Sequence, residues 1–411
     1  MINIIDKKAC CGCSACVQKC PKKCIVLKED IEGFLYPEVN QAECIDCGLC
    51  EKVCLSSDNI GKIQPEEVFA VKNLNDIERL ESSSGGVFVA LAKFIIARGG
   101  VVFGAVFNKH WEVIHEYTET IEGIRPMMES KYVQSQIGNS FQDAEKFLKA
   151  GRIVLFSGSP CQITGLHNYL QKEYPNLLTV DFLCHGVPSP SLWRKYLNEL
   201  YCQLFRKKFK RGKEVSSFLA SSMISRISFR DKKFSGWKKF NFVIWGKSVP
   251  PIKENKILLF TKHYKNIFMR GFLANLYLRP SCYHCKYKNG ISHSDLTIAD
   301  YWGIDKLMPD FDDDKGIGLL LINTSKGKEI FKHLKMDVRQ SSIEIAKQLN
   351  PGFKEVISVH PKRNEFFRNI SMGKSFTESV KLALYVPVHK KILCKLDRMV
   401  KKFLNKTMKR Q

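Results

Sequence analysis

Cys10-Cys11-Gly12-Cys13-Ser14-Ala15-Cys16-Val17-Gln18-Lys19-Cys20-Pro21 is echoed further on by Cys44-Ile45-Asp46-Cys47-Gly48-Leu49-Cys50-Glu51-Lys52-Val53-Cys54. Both runs contain C-x2-C-x2-C-x3-C, the spacing in which three thiolates of a run hold one cubane cluster and the fourth crosses to the other. The expectation is that Cys10, Cys13, Cys16 and Cys54 surround one [4Fe-4S] cluster, and Cys44, Cys47, Cys50 and Cys20 a second. Zinc knuckles are built from paired C-x2-C units without the trailing x3 cysteine, and that disfavours them here. Pro21 shapes the turn after the first run, whereas Leu55 occupies the matching place after the second.

The remainder of the 411 residues is long enough to fold around its own core without staples. The start MINIIDKKACC lacks the apolar stretch and cleavage site of a secretory signal. Sixteen cysteines without an export signal then point to metal ligation in a reducing compartment rather than to disulfides. The expected location is cytoplasmic. The most apolar stretch, Gly85 to Phe107, is broken by Lys93, Arg98 and the Gly99-Gly100 pair, so it reads as helix, turn and strand and not as a membrane span.

The net charge of +24 is unevenly spread, because residues 1–60 hold seven lysines, no arginine and nine acidic residues, a balance of −2. An acidic relay unit therefore sits on a basic body, which suits an acidic redox partner such as a soluble ferredoxin, a phosphorylated cofactor or an anionic membrane surface. No nucleic-acid-binding motif accompanies the charge, so nucleic acid is not an expected partner.

Beyond a polar linker, Ser56 to Pro65, the pattern alternates short apolar runs with helical ones. That is the pattern of an α/β (mixed α+β) body following a small N-terminal ferredoxin-like α+β domain. The expected division is a two-cluster domain at 1–60, the two parts of one body at 66–150 and 151–345, and a basic helical tail at 346–411. Ser82 to Gly86 open a helix whose free amides could take a pyrophosphate or could simply be a capped end. The strand Arg152 to Phe156 runs into Ser159-Pro160-Cys161-Gln162, which sets Cys161 at a first helical turn, where amides lower a thiol's pKa. The strand Leu177 to Leu183 ends at Cys184, so two cysteines stand at carboxyl ends of strands, the ligand side of an open α/β sheet.

Cys282 and Cys285 add a C-x2-C unit. With Cys161 and Cys184 they could form a third iron-sulfur site, a zinc site, or no site at all; the redox context favours the first. Cys11, Cys24, Cys202 and Cys394 fit no ligand spacing and read as small buried apolar residues. Arg230, Lys232, Lys233, Lys238 and Lys239, interleaved with Phe229, Phe234, Trp237 and Phe240, would either grip a flat anionic cofactor or form a solvated hairpin face. From His389 nine basic residues against Asp397 alone, with apolar residues at helical spacing, read as a basic amphipathic helix. It would lie on the inner face of a membrane or pack on its own domain.

The strings SSSGGVFVALA (82–92), SKYVQSQIG (130–138), LFSGSPCQITGL (155–166), VDFLCHGVPSP (180–190), ISFRDK (227–232), RPSCYHCKYK (279–288) and SDLTIADYWG (294–303), in this order, resemble the coenzyme F420 hydrogenase/dehydrogenase beta-subunit family. Ser159 replaces a more usual threonine in the third string and keeps the hydroxyl. The resemblance implies an oxidoreductase with FAD and a third [4Fe-4S] cluster on Cys161, Cys184, Cys282 and Cys285, with Ser84, Gly85, Gly86 and Lys131 near the flavin. It also implies a redox partner, either a ferredoxin or a partner subunit, and an organic hydride donor or acceptor that is deazaflavin-like or of another kind. The alternative is a non-catalytic electron-transfer subunit serving a partner enzyme, for example in surface-polysaccharide biosynthesis.

Overall fold

The computed structural model describes residues 1–55, 64–205, 222–247, 256–353 and 357–387. The basic stretch from His389 and Cys394 lie outside the described residues.

The two cysteine runs fold alike because each places left-handed backbone at the same two positions. These are Gly12 (φ 73°) and Ser14 (φ 65°) in the first run, and Asp46 (φ 51°) and Gly48 (φ 71°) in the second. Each loop curls and passes into a short helix, Ala15–Lys19 or Leu49–Lys52. Between them β1 (Ile25–Glu29) and β2 (Leu35–Val39) pair antiparallel, Ile25 opposite Val39 and Glu29 opposite Leu35.

The body is built on an eight-stranded sheet. In chain order its strands are β3 (Glu67–Asn73), β4 (Val101–Phe107), β5 (Val113–Thr118), β6 (Val154–Ser157) and β7 (Leu177–Phe182). A separate three-stranded sheet follows, β8 (Ile224–Asp231), β9 (Asn241–Gly246) and β10 (Ile257–Lys262). The chain then returns to the large sheet with β11 (Leu296–Asp300), β12 (Gly318–Ile322) and β13 (Met336–Ser341). The spatial order is β13-β3-β12-β11-β7-β6-β4-β5, with β11, β7, β6 and β4 mutually parallel. Strands from 66–150 and from 151–345 thus share one sheet.

Alternation of side chains along the central strands decides what covers each face. Val101, Phe103, Val154 and Phe156 face a layer containing Phe141, Ile163 and Leu166, and that layer is continuous with Ala15, Ile25 and Val53 of the cysteine-rich unit. Val102, Leu155, Leu178 and Leu320 face the opposite layer, formed by Leu91 and Ile95 of the helix Val87–Ile96. The helices Arg363–Ser371 and Phe376–Ala383 are not a free tail, because Phe366, Phe376 and Val380 are buried with Trp193, Phe229 and Phe268. Their apolar faces recur at helical spacing, and only the body offers them cover. No helix among the described residues is long and apolar enough to cross a membrane.

The cysteine-rich unit is docked by specific bonds as well as by apolar cover. Arg363 holds Glu32 with two bonds of 2.6 and 2.5 Å, Arg194 pairs with Glu29, and Ser189 Oγ donates to the Glu32 carbonyl at 2.7 Å. Gln18 accepts from the amides of Phe141 and Gln142 at 3.0 and 3.2 Å. Part of the acid-on-base asymmetry seen in the sequence is therefore used inside the molecule.

His115 on β5 is buried beside Ser157. Its Nε2–H donates to the Ser157 carbonyl at 3.0 Å, which leaves Nδ1 to accept from the Ser135 hydroxyl. Burial pushes its pKa down to about 4, the Ser157 carbonyl opposes this, and the charge of Lys131 adds to it. The imidazole is neutral in the fold and must be protonated on unfolding below its ordinary value near 6.5. The stability it contributes is present above pH 6.5 and is lost as pH falls from 6.5 to about 4, about 3 kcal/mol in all. Denaturation of the cluster-free full-length chain between pH 7 and 4 should show this loss, and His115→Gln should flatten that part of the curve.

Candidate functional site

The second set of cysteines forms a depression lined by Cys20, Cys44, Cys47 and Cys50, closed on one side by Cys24 and Ile25. The amide of Ile2 donates to Cys50 Sγ at 3.3 Å and that of Asp46 to Cys44 Sγ at 3.4 Å. In the first set, burial raises the Cys16 thiol to about 12, and the fields of Cys10 and Cys54 add to the rise. Cys20 thus lines the same depression as Cys44, Cys47 and Cys50, while Cys10 and Cys54 both act on Cys16. An all-thiol donor set with amide donors aimed at sulfur is chemically suited to an iron-sulfur cluster.

The four body cysteines act on one another through their fields. Cys161 is the second residue of the helix Pro160–Leu170, whose start is fixed by Pro160 and by the reciprocal bonding of Ser159 and Gln162. Cys184 follows β7, the parallel neighbour of β6, so both loops open at the same carboxyl edge. Cys282 lies within the short helix Pro280–His284 and Cys285 just after it. Burial raises the Cys184 thiol to about 12, and the fields of Cys161 and Cys285 add to the rise. The Cys282 thiol is pushed up as well, by burial first and then by the fields of Cys184, Cys285 and Cys161.

Lys288, buried, donates to the carbonyls of Cys184 and His185 and so fixes the loop that carries Cys184. One expectation fails at Cys161. Its thiol is pushed well up, first by a hydrogen bond with Cys11 and then by burial, and the helix amides do not offset this.

The unassigned cysteines are where sequence spacing says least. Cys24 Sγ lies 3.4 Å from Cys20 Sγ, inside the second thiol group. Cys11 is hydrogen-bonded to both Cys13 and Cys161, between the cysteine-rich unit and the body. Cys202 is exposed on the helix Pro190–Phe205, which corrects its reading as a buried apolar residue. Arg279, fully buried, also escaped the sequence reading, although it opens the string that contains Cys282 and Cys285.

The residues expected near a flavin fall differently. A Cβ on Gly85 would stand 2.3 Å from the Val71 carbonyl oxygen and 2.4 Å from the Gly318 amide, so sheet backbone fills the space a side chain would need. Ser84 Oγ donates to the Ile317 carbonyl at 2.7 Å, and Gly86 (φ 80°) is the N-cap of the helix Val87–Ile96. The close approach gives Gly85 a packing role of its own. Lys131 is half-buried, with Nζ donating to the carbonyls of Met128 and Glu129 at 2.9 and 3.2 Å; burial lowers its pKa to about 8.

The basic-aromatic stretch is largely internal too. Arg230 pairs with Asp300, which also accepts from Trp237 Nε1 at 2.7 Å, and Trp237 stacks flat on Trp302 at 4.7 Å. Lys232 Nζ is held by the carbonyls of Arg79, Ser84 and Lys315. Phe229 and Phe240 are buried, while Phe234 stays exposed.

A dicluster unit docked on an α/β body is the construction of an iron-sulfur oxidoreductase. Residues 151–347 match the family model for the C terminus of the coenzyme F420 hydrogenase/dehydrogenase beta subunit, and residues 9–57 match the 4Fe-4S dicluster domain. Over residues 151–347 the chain is thus similar to the coenzyme F420 hydrogenase/dehydrogenase beta subunit, and at its N-terminus to a 4Fe-4S dicluster domain. Among solved structures it is similar to a chain of the xenon-derivatised F420-reducing [NiFe] hydrogenase complex from Methanosarcina barkeri. That match has 14% identity and a TM-score of 0.43, and covers 79% of this chain and 91% of that one. No curated protein matches.

Proposed function

We propose that this protein relays electrons between its N-terminal dicluster unit and FAD by way of a third [4Fe-4S] cluster on Cys161, Cys184, Cys282 and Cys285, and exchanges a hydride with an organic substrate. What supports this reading is that Cys161 and Cys184 follow parallel neighbouring strands at one carboxyl edge, that Cys184, Cys285 and Cys161 act through their fields on the Cys282 thiol, and that Cys161 is hydrogen-bonded to Cys11 of the N-terminal unit. The N-terminal ligand sets in this reading are Cys10, Cys13, Cys16 with Cys54, and Cys44, Cys47, Cys50 with Cys20.

When bound, a flavin supplies the exchange between single electrons and an electron pair that clusters alone lack. The chain's own residues do the positioning. Amides of Ile2 and Asp46 donate to ligand sulfurs, Lys288 fixes the Cys184 loop, and the Arg363–Glu32 pair holds the N-terminal unit against the body. The resemblance in sequence supports FAD, with Ser84, Gly85, Gly86 and Lys131 as its expected neighbours; Gly85 also serves the fold.

Anaerobic reconstitution tests the reading. It expects about 12 iron atoms per chain, one flavin, and bleaching of that flavin by a deazaflavin or by reduced ferredoxin. Iron near 8, with zinc in place of the rest, would sink the third cluster. Activity that appears only with an added partner protein would favour an electron-transfer subunit.

A further inference from the structure

Four arginines are buried among the described residues, Arg79, Arg230, Arg279 and Arg363. Arg79 has Asp313, Arg230 has Asp300 and Arg363 has Glu32. Arg279 is the most deeply buried of the four, at 0% exposure, and no carboxylate lies within ion-pair distance of it among the described residues. Its guanidinium donates to the carbonyls of Cys10 at 2.8 Å and Leu35 at 2.9 Å and to Gln134 Oε1 at 3.0 Å. It also lies 3.6 Å from Cys10 Sγ and 4.3 Å from the centre of the Tyr36 ring.

A guanidinium stays charged in a protein, and a buried charge without a counter-charge is costly. Burial pushes the Tyr36 phenol away from ionisation, so the side chains that can supply negative charge here are cysteines: Cys10 and Cys11 on one side, and Cys282, three residues along the chain, on the other. The close fit is written into the loop as well, since a Cβ on Gly12 would stand 2.9 Å from an Arg279 guanidinium nitrogen.

We propose that Arg279 is the shared counter-charge of the thiolate sets containing Cys10 and Cys282, and that it raises the reduction potential of the iron-sulfur centres at the junction of the N-terminal unit and the body. The inference rests on the ligand assignment proposed above. Reduction adds one electron to a centre that is already anionic, with no bond made or broken, so a fixed positive charge beside a ligand sulfur favours the reduced form. Arg279 is thus a positioning and charge-setting residue that joins the two parts of the relay. Through Gln134, whose amide donates to the Cys11 carbonyl at 3.0 Å, it also holds the first cysteine loop in place.

The test is an EPR-monitored redox titration of the full chain after anaerobic reconstitution with iron and sulfide. Arg279→Gln should make the centre on the Cys10 set about tenfold harder to reduce, a shift of about 59 mV for one electron, at wild-type iron content. Arg279→Lys, which keeps the charge, should shift it by less than half as much. A loaded Arg279→Gln protein with wild-type potentials would overturn the proposal, as would an equal shift in Arg279→Lys. Should Arg279→Gln fail to take up iron, Gln134→Glu sets a carboxylate against the guanidinium instead. A lowered potential there supports the proposal and an unchanged one overturns it. Wild-type iron near 8 would remove the third cluster, while the shift at the Cys10 set would still decide the role of Arg279.

Discussion

Cys282→Ser is expected to remove one whole cluster, taking iron from about 12 to about 8 atoms per chain while the spectrum of the N-terminal pair persists. The reason is geometric. Cys282 sits in the field of Cys184, Cys285 and Cys161, and the 3-10 turn Pro280–His284 that presents it is held by Arg279 and by Tyr283, whose hydroxyl donates to the Asn275 carbonyl at 2.7 Å. Loss of one of four thiolates leaves an open iron position, and the exchange of electrons with any flavin should then fail even though the dicluster unit still accepts them. Iron analysis and EPR of the variant check this directly. Iron retained at the wild-type level, with an unchanged spectrum, would remove Cys282 from the ligand set.

Gly85→Ala is expected to destabilise the protein by about 3 kcal/mol, near the upper end of the usual cost of overpacking. The added methyl would meet the Val71 carbonyl and the Gly318 amide, both backbone atoms of adjoining strands that cannot turn aside. The Gly85 carbonyl also accepts from the Asn73 amide at 2.7 Å, so the strand end and the helix start would move together. Denaturant unfolding of the flavin-free chain measures this. If the loss appeared only with flavin bound, Gly85 would be a cofactor contact after all.

The two variants separate what was legible in the chain from what was not. The helix start at Ser82 to Gly86 was legible as a start, because serine and glycine before an apolar run have a local cause. Its use was not, because a glycine that admits a phosphate and one that admits a neighbouring strand look the same in one dimension. The aromatic-basic stretch 229–240 was ambiguous for the same reason, and Asp300 and Trp302, about sixty residues later, turn most of it inward. Cys161 does stand at a helix start, but its thiol is raised rather than lowered, since Cys11, from far earlier in the chain, reaches it.

Spacing within the chain was enough to mark out the cysteine-rich unit and to propose which fourth cysteine joins which three. Its chemistry is local: ligands two and three residues apart, with left-handed backbone between them at Gly12, Ser14, Asp46 and Gly48. Only the tertiary structure decided how that unit meets the body. A buried arginine without an acid among the described residues, a Cys11 thiol shared between Cys13 and Cys161, and ion pairs from Arg363 to Glu32 and from Arg194 to Glu29 join segments far apart in the chain. Spacing carries no information about such pairs, because burial and electrostatics act through space and the fold alone sets those distances.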